Sequence, residues 1–166
     1  KYIMDESITL KQYETLLRQN FRVYKAVEDF INANYAILPP ELAPFASYDK
    51  TNALAKDIQV LSKLPLPQPL KIAHPRDLAT LIGMLYVIEG SMVGGMMMSK
   101  KIKSCSSLSG IQEHHFFNSN AKVSSSRWKK FKEAVSSLNF SKAEVTKAID
   151  SSISTFALFE EAYKGD

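Results

Sequence analysis

Between Leu78 and Met98 the chain runs for 21 residues with a single formal charge, Glu89. Four of the six glycines (Gly83, Gly90, Gly94, Gly95) and five of the six methionines (Met84, Met92, Met96, Met97, Met98) fall in that stretch. A segment so apolar has to be covered, either by a protein core or by a bilayer. Its length suits a bilayer, Gly90 and Gly94 have the spacing of a helix-packing pair, and Lys100, Lys101 and Lys103 flank it. Glu89 sits near the middle, however, where a charge costs about 3 kcal/mol on insertion scales. The rest of the chain offers amphipathic helices suited to surrounding a buried one, so the expectation is a core helix and no membrane span.

The glycines carry their own argument. Glycine inside a helix costs about 1 kcal/mol relative to alanine, so Gly90, Gly94 and Gly95 together forfeit roughly 3 kcal/mol of a typical stability of 5–15 kcal/mol. Gly90 and Gly94 are neighbours one turn apart and would leave a bare stripe on one face, and the adjacent pair Gly94–Gly95 favours a kink. Such a stripe serves either a closely packed neighbouring helix or a flat apolar ligand that needs to approach backbone. Methionines adapt readily to the irregular space around either.

Helical periodicity extends over most of the chain. Thr9 and Gln12 form a capping box, followed by apolar residues at helical spacing from Leu10 to Ile31, which predicts a helix over about Thr9–Asn32. All seven prolines fall between Pro39 and Pro75 and confine the irregular passages to that region. A second helix is predicted over about Thr51–Leu64, then an extended connector at Pro65–Pro69, then the glycine-rich helix from Pro75 to about Lys103. Ser104–Ser109 and Ser124–Ser126 read as loops, and two further helices fit Ser126–Leu138 and Lys142–Tyr163. Strand-type alternation is scarcely present. The expectation is therefore one all-α, single-domain helical bundle over 1–166, with 45% hydrophobic and 23% charged residues placing it among globular domains. The net charge of +4 gives no push towards nucleic acid. A lone Cys105 forbids an internal disulfide and fits a reducing, cytoplasmic setting. The chain begins at Lys1 without an apolar leader core, which reads as a cut or processed end. No phosphate-cradling glycine loop, Cys/His metal spacing or Ser-His-Asp pattern is present.

The segment Tyr86-Val87-Ile88-Glu89-Gly90-Ser91-Met92-Val93-Gly94-Gly95 resembles the Y-V-x-E-G-S-x-x-G-G stretch of bacterial, biliverdin-producing heme oxygenases, especially the phytochrome-associated branch. Ile8-Thr9-Leu10-Lys11-Gln12-Tyr13 resembles that family's I-T-L-x-Q-Y helix opening. Phe116-Phe117 with Trp128 and Phe131, and Phe156, Phe159, Glu160 and Glu161, are similar to its later helices, so the likeness spans nearly the whole chain. The resemblance implies a heme held between a proximal helix and a kinked distal helix, with Gly90, Ser91, Gly94 and Gly95 forming the distal wall. It further implies opening of the ring to biliverdin, CO and Fe2+ with O2 and reductase electrons. Many relatives carry an aspartate where this chain has Ser91, whose hydroxyl can orient water without adding charge.

Heme iron in oxygenases takes a proximal histidine. The resemblance places that residue on a helix before Ile8, and Lys1–Ile8 contain none, so the axial histidine is expected upstream of Lys1. His74 reads as an exposed residue at a helix start, and His114 and His115 would point about 100° apart on a helix. Heme-binding expectations fall on Lys129 and Lys132 for the propionates, with Met92 and Phe131 against the ring. The basic helix carrying Arg127, Lys129, Lys130 and Lys132 could instead receive an acidic electron donor such as a ferredoxin, a flavodoxin or a flavin reductase. Glu89 calls for a buried partner, for which Arg22 or Arg76 would serve. The rival expectation is a non-catalytic protein of the same fold that binds another flat or apolar ligand, or a partner helix, should no axial histidine exist.

Overall fold

The computed structural model describes residues 2–118 and 120–164; Lys1, Ser119, Gly165 and Asp166 of the expected 1–166 domain lie outside the described residues. Five helices make up the fold, with no strand among the described residues: α1 (Leu10–Ala33), α2 (Asp49–Leu61), α3 (Leu78–Ser104), α4 (Ala121–Ser136) and α5 (Lys142–Lys164). The all-α, single-domain expectation holds.

The ends of the helices are where hydrogen-bond acceptors exist. The Thr9–Gln12 capping box opens α1 as expected, with the Gln12 amide donating to Thr9 Oγ1 at 3.2 Å and the Thr9 amide to Gln12 Oε1 at 2.9 Å. Helix α2 begins at Asp49, two residues before the predicted start, and its flanking Tyr48 supplies no side-chain cap. The cap comes from α1 instead: buried Glu28 accepts the Lys50 and Thr51 amides at 3.2 and 3.0 Å. Helix α3 starts at Leu78 and not at Pro75, because Asp77 accepts the Thr80 amide at 2.9 Å and fixes the first turn there. Helix α4 corrects the sequence reading most. It begins at Ala121, with Asn120 Oδ1 accepting the Lys122 and Val123 amides, so Ser124–Ser126 belong to a helix and not to a loop. Serine's weak helix propensity and its loop-like clustering hid this turn.

Helix α3 lies at the centre of the bundle. Its first half is buried almost residue for residue up to Glu89, with Tyr86 the exposed exception. It packs most extensively on α5, where Gly83 lets the two backbones meet. A Cβ at Gly83 would lie 2.6 Å from Ser151 Cβ and 2.8 Å from its Oγ, with the Ala148 carbonyl oxygen closer still. Ser151 and Ser152 use this proximity to donate to the Thr80 and Gly83 carbonyls at 2.8 and 3.1 Å. On its other side α3 holds α4 through Glu89, whose carboxylate takes a two-pronged bond from Arg127 at 2.7 and 2.8 Å. The partner is thus Arg127, and neither Arg22 nor Arg76. Arg127 also lies over the Phe45 ring at 5.1 Å, so the pair is packed as well as charge-matched.

Helix α3 is long and apolar enough to cross a membrane by length and composition alone. Its buried half is occupied by α4 and α5. Its second half, Gly90–Met98, changes character: no residue there is fully buried, and Gly94 and Met97 are exposed. The helical assignment runs unbroken through Gly94–Gly95, and no described glycine has a positive φ.

Candidate heme-binding cleft

The exposed half of α3 is one wall of a mostly apolar cleft of about 880 Å³, within the range of ordinary cofactor pockets. Ser91, Gly94, Gly95 and Met98 lie on this wall, with Met92 beside them. Leu16, Asn20 and Tyr24 of α1 and Phe156, Phe159 and Tyr163 of α5 complete the lining. Phe116 and Phe117 come from the loop before α4. Tyr2, Ile3, Met4 and Lys11 form the rim.

The three glycines differ in what they do. A Cβ at Gly94 would meet nothing within 4 Å, so the bare backbone there borders open space. Gly90 faces the other way, where its missing side chain makes room for the Trp128 ring, 3.5 Å from a built Cβ, and it is absent from the cleft lining. Trp128 in turn stacks on Phe131 at 5.7 Å and meets Tyr86 edge-on at 5.2 Å. Gly90 therefore seats the core behind the wall, and Gly94 and Gly95 form the wall.

Ser91 does not hang free in the cleft. Its hydroxyl donates to the Ile88 carbonyl one turn back at 2.7 Å, which leaves its oxygen to accept from Tyr24 Oη, also at 2.7 Å. Burial pushes the Tyr24 phenol far above its usual range, so it remains a donor. Tyr24 is held by aromatic edges on both sides, Phe116 at 5.3 Å and Phe159 at 5.6 Å. Tyr163 donates to Asn20 Oδ1 at 3.2 Å, tying α5 to α1 at the same site.

At the inner end the cleft adjoins a second cavity of about 220 Å³, and Lys50 and Met92 border both. This cavity sets charged groups, Glu28, Asp49, Glu89 and Arg127, among apolar side chains such as Phe45, Leu85 and Ile88. Burial pushes the Glu28 carboxyl up to about 7, against the two amide bonds that favour its charge. Burial likewise lowers Lys50, whose ammonium lies 5.9 Å over the Phe116 ring. A carboxyl able to gain or lose a proton near neutrality, Glu28, thus stands behind an apolar cleft.

A family model described as heme oxygenase matches residues 1–164. The chain belongs to the heme oxygenase family. No curated protein and no solved structure matches it.

Heme is the substrate this family binds, and the residues present fit its ring. The Gly94–Gly95 wall offers bare backbone to a flat face, and Tyr24, Phe116 and Phe159 add aromatic surface to the lining. Lys11 and Lys50 are the cations of the lining and suit carboxylate substituents. The structure places the other expected cations elsewhere: Lys129 is exposed, 3.8 Å from Glu133, and Lys132 lies over Trp128 at 5.5 Å. Neither lines the cleft, and Phe131 is fully buried against Phe45, 5.3 Å away, inside the core. None of the three histidines lines the cleft. His114 is buried with Nδ1 2.8 Å from Tyr13 Oη, His115 lies 3.6 Å from Glu113, and His74 precedes α3.

The sequence reading did not reach Tyr24, Asn20, Lys11 or Lys50. The α1 residues share the periodicity of core positions, and periodicity says that a face is covered without saying by what. The one available signal was the i, i+4 pair Tyr24 and Glu28, polar groups on the buried face of an amphipathic helix.

Proposed function

We propose that the protein is a heme oxygenase that opens heme to biliverdin, CO and Fe2+ in the cleft between α1, α3 and α5, drawing on O2 and reductase electrons in the cytoplasm. The single observation that carries this reading is the open space at Gly94 on the cleft wall of a chain that belongs to the heme oxygenase family. When bound, heme supplies the oxygen-binding and redox chemistry and is itself the molecule consumed. The chain supplies the remainder. Gly94 and Gly95 admit the ring face and leave room beside it, and the aromatic edges exclude water. The Tyr24 phenol and Ser91 hydroxyl form a fixed polar spot on an otherwise apolar wall. Glu28 and Lys50, in the cavity behind, hold exchangeable protons for a reaction that consumes them. Lys11 at the rim takes an anionic substituent.

The iron ligand is proposed to be a histidine upstream of Lys1. The rim supports this. The Ser7 amide donates to the Tyr2 carbonyl at 2.9 Å and the Glu6 amide to the Ile3 carbonyl at 3.1 Å, with Glu6 at φ +54°. That pair of bonds with a left-handed residue is the pattern that closes a helix C-terminus. Tyr2–Ser7 thus carry a helix-closing turn beside the cleft, on the side where that ligand is proposed to lie. The exposed Lys129, Lys130 and Lys132 of α4 are proposed as the surface that receives an acidic donor such as a ferredoxin or flavodoxin.

A second reading, a non-catalytic binder of a flat ligand, is favoured by one observation, the absence of histidine from the described cleft lining. Hemin added to the natural full-length protein separates the two. A shifted Soret band followed by biliverdin on supplying reductase and O2 supports the oxygenase. A Soret shift without biliverdin supports a heme binder without turnover, and no shift refutes the oxygenase and leaves the binder of another flat ligand.

A further inference from the structure

The aromatic wall of the cleft is the end of a longer chain of ring contacts whose far end is buried and polar. From Tyr24 the contacts pass to Phe116, then to Phe117 at 4.8 Å, then to Tyr13 at 6.2 Å, then edge-on to His114 at 5.4 Å. Phe116 and Phe117 belong to an irregular segment, where no regular ladder fixes the backbone. Two buried polar side chains fix it instead. Asp57, from the inner face of α2, accepts the His115 amide at 2.8 Å and the Phe116 amide at 2.9 Å, one on each carboxylate oxygen. Tyr13, from α1, meets His114 Nδ1 at 2.8 Å. Asp57, Tyr13 and His114 are each at least nine-tenths buried, and none lines the cleft.

We propose that Asp57 and the Tyr13–His114 pair are positioning residues for the heme site, clamping the loop at His114–Phe116 so that Phe116 and Phe117 keep the width of the cleft fixed. Buried carboxylates and histidines are expensive to leave in an interior, and the expense is explained when they fix a segment that sequence-local forces leave loose. Burial pushes the Tyr13 phenol well above its usual range and lowers His114, so the phenol donates and Nδ1 accepts, with the ring proton on Nε2. Two backbone amides on one carboxylate fix both position and direction of the two successive peptides His114–His115 and His115–Phe116, which a single bond would not. Removing one clamp lets the loop shift, and a flat ligand needs only a small change in width to lose contact on one face.

This inference rests on heme being the ligand of the cleft, and the test separates the two claims. Hemin is titrated into the natural full-length protein by Soret absorbance, alongside thermal unfolding of the heme-free form and amide exchange at His115 and Phe116. Asp57→Asn and Tyr13→Phe should weaken hemin binding by roughly tenfold or more and speed exchange at both amides. His114→Asn, which retains an acceptor near the Nδ1 position, should bind more tightly than His114→Leu. Asp77→Ala, which removes the cap of α3 outside the cleft lining, serves as the control for general destabilisation. Hemin affinity unchanged despite faster exchange overturns the proposal. So does an affinity loss no larger than in Asp77→Ala at equal loss of stability, or equal affinity in the two His114 variants. If Asp57→Asn does not fold, the His114 pair decides alone. If the unmodified protein does not bind hemin, the heme reading fails first and this inference falls with it.

Discussion

Two glycines eleven residues apart on α3 should respond to the same substitution with opposite signs. A methyl at Gly83 would sit 2.6 Å from Ser151 Cβ and nearer still to the Ala148 backbone oxygen. Both belong to α5, so relief requires moving that helix by roughly 1 Å to restore ordinary carbon separations. Overpacking of this kind costs about 1–3 kcal/mol, and the shift also strains the Ser151 and Ser152 bonds to α3. At Gly94 the same methyl meets nothing within 4 Å, and only the helix-propensity gain of about 1 kcal/mol remains. For a chain of this length, Gly94→Ala should raise the melting temperature of the heme-free protein by about 2–4 °C, while Gly83→Ala lowers it by roughly as much or more. Hemin affinity should move the other way at Gly94, with Gly94→Leu weakening binding tenfold or more while the fold survives. Thermal unfolding by circular dichroism and a Soret titration measure both. Loss of stability in Gly94→Ala comparable to that in Gly83→Ala would refute the reasoning, because Gly94 would then be a packing glycine.

Three further outcomes follow from the buried polar groups. Glu28 has a folded-state value near 7 against an ordinary 4.5, so its contribution is complete below about pH 4.5 and lost as pH rises through 7. Denaturant titrations from pH 4.5 to 8 should show a fall of at most about 3 kcal/mol from this group, flattened in Glu28→Gln. Arg127→Ala should destabilise by about 3 kcal/mol or more, since it strands the buried Glu89 carboxylate, while Glu89→Leu with Arg127→Met recovers much of the loss in a double-mutant cycle. Ser91→Ala leaves the buried Tyr24 hydroxyl without its acceptor and should cost about 1–3 kcal/mol, whereas adding Tyr24→Phe should restore most of it. Equal effects in the single and double variants would show that the hydroxyls do not pair.

Much of the bundle was legible because amphipathic periodicity and caps act locally. The Thr9–Gln12 box and the long apolar run of α3 lead directly to α1 and α3. The starts of α2 and α4 were less accessible for different reasons. The cap of α2 is Glu28, twenty-two residues away on another helix, and no local pattern announces it. Asn120 caps α4 locally, yet the serines after it resemble a loop. The site was legible as a motif and not as a geometry. Gly90 and Gly94 look alike at a spacing of four, but one faces Trp128 and the other open space, a difference set by where α4 packs. Lys129 and Lys132 carry the expected charge on the expected helix, and the packing of Trp128 and Phe131 turns them away from the cleft. Lys50 and Lys11 reach it because α2 and α1 fold against the far side.

The central claim is that bare backbone at Gly94 exists to admit heme. Its most direct test is a Soret titration of hemin into the natural full-length protein and its Gly94→Leu variant, with circular dichroism to confirm that both are folded. Saturable binding at one heme per chain in the first, and binding at least tenfold weaker in the folded second, is the predicted result. Equal affinity in the two proteins, or no Soret change in either, would contradict it.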